Sequence, residues 1–313
     1  MRSSHEVTHH PTGGPLVWVE DRVGTELPYS KGLMAASIMA TGLPPGRAYA
    51  LAGLIEKELR TAGTARTDSE LLIEKAASVL RDHAGPEISE RYLAWRRAKR
   101  SPKPIVVLIG GATGVGKSTV ATKLAARLDL TRIVTSDTVR EILRGFLTPE
   151  QAPEIHKSSF ESSSPDPLPH FMRQAATVCS GVTGLVERTV AERKDVIVEG
   201  VHLVPGSVAG RRLMRIQREA ALVQVLLVLD DPNVHRSHFL SRLENEHGRD
   251  PLRYLHRFDA IRRVQERLIE LAELHGVPTV DAHSLDEAIQ AVVDRVVAEV
   301  VIASEASSKS VAV

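Results

Sequence analysis

The chain has 313 residues, enough for about two domains, with a formal net charge of +1, 42% hydrophobic residues and 25% charged residues. That balance excludes a basic nucleic-acid binder, and the longest apolar runs, such as Ala220–Leu229, are too short to cross a bilayer. Met1–His5 lacks an apolar leader core and Cys179 is the single cysteine, so a cytoplasmic protein without a disulfide framework is expected.

Residues 1–15 carry His, Thr, Gly and Pro without periodicity and read as a disordered tail. Leu16–Val19 reads as a strand, and Val23–Pro28 as a turn with a short return strand. Helical patterns follow over Lys31–Thr41, Arg47–Leu59, Ser69–Leu80 and Glu87–Arg97, separated by Gly and Pro breaks. Arg96–Pro104 is a basic, proline-bearing linker. The sequence therefore divides into a mainly helical domain over 16–100 and a second domain over 104–303, with another disordered tail at 304–313.

The hairpin and its compact helices resemble the ATP-cone, a regulatory nucleotide-binding module. Arg22, the run Pro28-Tyr29-Ser30-Lys31 and the run Tyr92-Leu93-Ala94-Trp95-Arg96 carry the resemblance. It implies a regulatory nucleotide site at Arg22, Tyr29, Ser30 and Lys31. A helical cap that binds nothing is the alternative.

The second domain opens on an apolar, β-branched run, Pro104–Ile109, which reads as a buried parallel strand. Gly111-Ala112-Thr113-Gly114-Val115-Gly116-Lys117-Ser118 then fits the phosphate-loop spacing, followed by Thr119 and a helix with Val120, Leu124 and Leu128 on one face. Glycines let backbone N–H groups turn inward around a polyphosphate, and the helix N-terminus adds partial positive charge. Lys117 is expected at the β/γ-phosphates and Ser118 on Mg²⁺, so the cofactors predicted are ATP and Mg²⁺.

Further strands are expected at Arg132–Thr135, Asp195–Glu199, Leu222–Leu229 and Val277–Asp281, with helices between them, notably Met172–Ala191 and a long one from near Leu252. Strands alternating with helices predict an α/β fold: a parallel sheet covered on both faces, with ligands at the carboxyl ends of the strands. Asp137 and Glu199 stand at two such ends. Asp137 is expected to orient or deprotonate an acceptor hydroxyl, although Thr138 and Glu141 also match a capping box. Glu199 fits a magnesium-holding acid, with Gly200 leaving room for phosphate.

Cations suited to an anionic acceptor come next. Arg140 and Arg144 are four apart and share a helix face. Lys157 sits in the polar, proline-flanked loop Pro153–Ser162, and His202 follows Glu199 closely. Beyond the fourth strand a basic stretch includes Arg242 and Arg249, which suit a lid closing on the transferring phosphoryl group. His235-x-x-His238 is weak as a metal motif because no further ligands have suitable spacing.

Together, Ile109–Thr119, Ser136–Arg140, His156–Ser159 and Val198–Gly206 resemble the 2-phosphoglycerate kinase family. The resemblance implies ATP-dependent phosphorylation of 2-phosphoglycerate to 2,3-bisphosphoglycerate, with a small anionic substrate as the partner and neither nucleic acid nor membrane. A kinase for a sugar or nucleoside and a non-enzymatic nucleotide sensor stay open, as does a homo-oligomer.

Overall fold

The computed structural model describes residues 17–20, 24–100, 103–161, 165–207, 210–243 and 251–311. The chain divides into two compact units, Met1–Arg96 and Arg97–Val313.

In the first unit β1 (Trp18–Glu20) pairs antiparallel with β2 (Glu26–Pro28). Four helices are α1 (Lys31–Met39), α2 (Pro45–Thr61), α3 (Ser69–Ala84) and α4 (Pro86–Ala98), and β3 (Arg66–Asp68) lies parallel to β1. Nothing in the sequence marks β3, because three residues of Arg-Thr-Asp carry no alternation to read. Caps set the helix starts: Ser30 Oγ accepts from Leu33 N at 3.3 Å and Asp68 Oδ1 from Leu71 N at 2.8 Å. Met34, Ile38, Leu51, Ile55, Ile73, Leu80 and Tyr92 share one core.

The second unit begins with β4 (Ile105–Gly111) and α5 (Lys117–Leu128), then β5 (Ile133–Thr135) and α6 (Ser136–Phe146). After a 3₁₀ turn at Pro153–His156 come α7 (Leu168–Ala191), β6 (Val196–Glu199), α8 (Gly210–Glu219) and β7 (Ala221–Val228). The unit closes with α9 (Pro232–Leu243), α10 (Pro251–His256), α11 (Phe258–His275), β8 (Thr279–Asp281) and α12 (Leu285–Val311). The long helix expected from Leu252 is broken at Arg257 into α10 and α11, and α12 continues past residue 304 to Val311.

All five strands run parallel in the order β5-β6-β4-β7-β8. Every residue of β4 and β6 is buried, as expected of strands covered on both faces. On one face Val106, Leu108, Val196 and Val198 meet Val178, Val182 and Val186 of α7, while Leu226 and Val228 meet Val264 and Leu268 of α11. Strand register aligns the ends of the sheet. Thr135 and Glu199, the last residues of β5 and β6, pair with each other, and Glu199 also pairs with Ile109, two residues before β4 ends at Gly111. Among the described residues no helix is long and apolar enough to cross a membrane.

Candidate active site

The loop from β4 to α5 holds Gly111, Gly114 and Gly116 at φ of 145°, 93° and 90°, a region side chains rarely enter. Gly114 is doubly constrained, because a Cβ there would enter the ring of Phe239 on α9. Ala112 and Val115 are buried under the turn, and Thr113 is partly exposed. Lys117 folds back over the loop, with Nζ donating to the Ala112 carbonyl at 2.7 Å. Ser118 and Thr119 open α5 on its exposed side.

The buried Glu199 meets this loop. Ser118 Oγ donates to Glu199 Oε1 at 2.8 Å, which brings two hard oxygen donors together at the loop. Among the described residues no group of three His, Cys, Asp or Glu side chains converges to hold a metal. Magnesium suits that supply, since it keeps several waters and takes other oxygens from substrate phosphates.

Asp137 sits in the first turn of α6, half-exposed, 3.8 Å from Arg140 Nη1. Thr135 caps that helix, accepting from Thr138 N at 2.9 Å, so the capping box read at Thr138 and Glu141 is displaced and leaves Asp137 unused as a cap. Glu141 instead bridges the two arginines, accepting from Arg140 Nη2 at 3.1 Å and from Arg144 Nη1 at 2.8 Å. Arg140 also donates through Nη1 to the Lys157 carbonyl at 3.3 Å, while the Lys157 side chain is exposed. Helix face and loop thus join through the Lys157 backbone.

Two readings change. Gly200 was expected to leave room for phosphate; its φ of 151° and missing Cβ admit the Ser136 side chain, which otherwise could not approach. His202 was expected either to contact the acceptor or to be a satisfied loop histidine; it is fully buried with both ring nitrogens engaged, which corrects the first reading. Gln174 Oε1, which can only accept, lies 3.0 Å from His202 Nε2, so the proton sits there and Nδ1 accepts from Ser136 Oγ at 2.8 Å. Gln174 Nε2 then donates to the carbonyls of Glu154 and Lys157 at 2.6 and 2.8 Å. Through Gln174, His202 therefore ties the carbonyls of Glu154 and Lys157 to the start of α6. Burial lowers its pKa to about 4, with Asp137 opposing and Arg140 and Lys117 adding to the shift.

Sequence reasoning missed what α9 does. His235 Nε2 donates to the Thr113 carbonyl at 2.8 Å and His238 Nδ1 to the Gly114 carbonyl at 3.0 Å, so both histidines grip the phosphate loop. Their spacing of three, with Phe239 beside them, was the legible signal: one helical face aimed at one partner. Burial lowers the His235 pKa to about 4 as well. Arg249 and the Arg242 side chain lie outside the described residues, as does Arg22. In the first unit Tyr29 Oη donates to the Ala52 carbonyl at 2.8 Å, Ser30 caps α1, and Lys31 Nζ lies 4.7 Å from the Tyr49 ring centroid.

A parallel sheet, a phosphate loop and two carboxylates at adjoining strand ends define a P-loop kinase. Comparison with known sequences agrees. The family model described as Zeta toxin matches residues 90–306. The 2-phosphoglycerate kinase of Methanopyrus kandleri is 33% identical over 91% of this chain and 89% of its own. That of Thermococcus kodakarensis is 35% identical over 85% of this chain and 91% of its own. A shikimate kinase structure from Bacteroides thetaiotaomicron aligns at 14% identity and a TM-score of 0.35, over 60% of this chain and 96% of that one. The chain belongs to the Zeta toxin family by the first match and to the 2-phosphoglycerate kinase family by its relatives.

Proposed function

We propose that this kinase transfers the γ-phosphoryl group of ATP to the free hydroxyl of 2-phosphoglycerate, giving 2,3-bisphosphoglycerate and ADP. The observation that carries the reading is that the Ser118–Glu199 pair and the Asp137–Arg140 pair stand at the adjoining ends of β6 and β5, beside the phosphate loop that follows β4. The acceptor oxygen attacks the γ-phosphorus, the bond to the β,γ-bridging oxygen breaks, and the hydroxyl proton passes to Asp137. Ser118 and Glu199 would hold Mg²⁺, which neutralises phosphate charge when bound. Lys117 leaves the Ala112 carbonyl for the phosphates, and the loop N–H groups cradle them.

An acceptor bearing both a carboxylate and a phosphate has to approach an already anionic nucleotide. Arg140, Arg144 and Lys157 supply the offsetting charge, and guanidinium forks match carboxylate and phosphate oxygens. A neutral sugar would bring Arg140, whose side chain is only 16% exposed, no anion beyond the Glu141 and Asp137 carboxylates that it already faces. The remaining finer points belong to the same reading: a cytoplasmic enzyme on small molecules, with lid arginines Arg242 and Arg249 and a regulatory nucleotide site in the first unit. That last assignment is supported by a cleft of about 210 Å³ lined by Tyr29, Ser30, Ser37, Tyr92 and Arg96 among others.

The test is ADP release from purified protein with 2-phosphoglycerate, glycerate or hexoses. 2-Phosphoglycerate is expected to stimulate strongly and the others weakly. Asp137→Asn is expected to lower kcat by about 100- to 10,000-fold with ATP binding unchanged. A neutral sugar as the better acceptor, or a variant with normal kcat, overturns the reading.

A further inference from the structure

We infer that Arg253, outside the strand-end cluster, binds the second anionic group of the acceptor, and that Glu161 occupies its place until the acceptor arrives. The inference rests on the kinase reading above. Arg253 belongs to α10, and it reaches back to the loop that follows the 3₁₀ turn. Its Nε donates to Glu161 Oε1 at 2.7 Å and its Nη2 to Ser158 Oγ at 2.9 Å. From α6, Arg140 reaches the carbonyl of the neighbouring Lys157. Two guanidinium groups on separate elements therefore flank the adjacent residues Lys157 and Ser158.

Each of these arginines rests on a glutamate of the protein. Glu141 engages Arg140 and Arg144, and Glu161 engages Arg253. The second pair is open to water, with Arg253 51% and Glu161 31% exposed, and an exposed pair of this kind is weak enough for a ligand to replace. In 2-phosphoglycerate the carboxylate and the phosphate leave the same carbon atom, so a site for both needs two cationic forks close together. Arg140 with Arg144 furnishes one; Arg253 is placed to furnish the other.

The surroundings of α10 fit that role. Tyr254, next in sequence, lies 5.4 Å from the Phe160 ring of the same loop and stacks at 5.3 Å and 9° on Phe239. Phe239 fills the space beside Gly114. α10, which carries Arg253, is thereby packed on the loop after the 3₁₀ turn and, through Tyr254 and Phe239, linked to the helix beside the phosphate loop.

A purely structural staple between α10 and the loop makes the opposite prediction, and one substitution separates the two. Glu161→Gln removes the competing charge but keeps an oxygen for the Ser158 N–H, which Glu161 Oε2 now accepts at 3.1 Å. Calorimetric titration of the full chain with 2-phosphoglycerate, in the presence of a non-hydrolysable ATP analogue, reads binding without turnover. Glu161→Gln is expected to tighten acceptor binding about two- to fivefold, the worth of an exposed ion pair. Arg253→Gln is expected to weaken it about tenfold or more, with Arg253→Lys between, because a charged fork is lost. The analogue's own affinity is expected to stay within about twofold in all three, because Arg253 is assigned to the acceptor and contacts the Ser158–Glu161 loop rather than the phosphate loop. Weaker binding in Glu161→Gln, or unchanged binding in Arg253→Gln, overturns the inference. Binding of 2-phosphoglycerate to the unsubstituted protein without turnover of ATP overturns the kinase reading instead, and the variants still decide the role of Arg253. No binding to the unsubstituted protein overturns both.

Discussion

The ring of Phe239 occupies the volume that a side chain on Gly114 would need. Phe239 lies on the same helix as His235 and His238, whose rings donate to the carbonyls of Thr113 and Gly114. The phosphate loop is therefore shaped from two sides. Its glycines let the backbone turn, and α9 fixes where the turning carbonyls point, which leaves the amides to face the nucleotide. Tyr254 of α10 stacks on the same Phe239 ring, so α10 is coupled through one side chain to the loop that binds phosphate.

Gly114→Ala is the direct test of this arrangement. The methyl group meets the Phe239 ring, and φ of 93° is strained for alanine. Either the ring or the loop has to move, and both hold the nucleotide site. ATP affinity is expected to fall about tenfold or more, since strain of this kind is worth roughly 1–3 kcal/mol. Phe239→Leu in the same chain is expected to restore part of the loss by clearing the space. ATP titrations of both variants check it, and unaltered affinity in Gly114→Ala refutes the steric account.

Acid stability supplies a second test. His202 and His235 are both buried, and burial leads the causes that lower each pKa to about 4. Around His202, Asp137 opposes the shift while Arg140 and Lys117 reinforce it. Around His235 the Thr113 hydrogen bond opposes it, and Arg262, His238 and Lys117 reinforce it. Among the described residues the Nδ1 atom of His235 has no hydrogen-bond partner to take a proton. In the unfolded chain both rings take up protons near pH 6.5, while in the folded chain they resist to about 4. The unfolded state thus binds more protons between those values, and stability falls as pH drops through that window. A difference of this size is worth on the order of 3 kcal/mol per ring. Tm is expected to fall steadily from pH 6.5 to 4.5, less steeply in His202→Gln. A Tm that stays level over that range contradicts the neutral, buried assignment of both rings.

Much of this site could be read from the chain before the fold was known, and the reason is local geometry. Gly111–Ser118 carries its own spacing, and β4 and β6 are continuous apolar runs, so the loop, the strands and the carboxylates at their ends follow from short stretches. What escaped the sequence depends on pairs far apart in it. His202 looks like a free loop imidazole until Ser136 and Gln174, 66 and 28 residues away, take both its nitrogens. His235 looks like a poor metal ligand until Thr113, 122 residues away, accepts its proton. Arg253 is one basic residue among several until the fold returns it to Glu161, 92 residues upstream.

The last test joins the phosphate loop to the first unit. In the proposed reaction Lys117 would neutralise charge on the transferring phosphoryl group, so Lys117→Ala is expected to lower turnover about 100-fold or more and to weaken ATP at that loop. If the first unit carries a regulatory nucleotide site, this variant still binds nucleotide there, because the two sites lie in different units of the chain. The cleft lined by Tyr29, Ser30, Ser37 and Arg96 is the place to block. Ser37 lines it without belonging to a helix cap, and Ser37→Trp fills it with a large ring. Equilibrium binding of ATP to Lys117→Ala protein is expected to show one residual site per chain, absent when Ser37→Trp is added. An effector also requires that occupancy of one site change the affinity of the other, so Ser37→Trp alone should shift the ATP dependence of turnover. One site per chain in the unsubstituted protein, or a residual site indifferent to Ser37→Trp, makes the first unit a packing domain and removes the regulatory assignment.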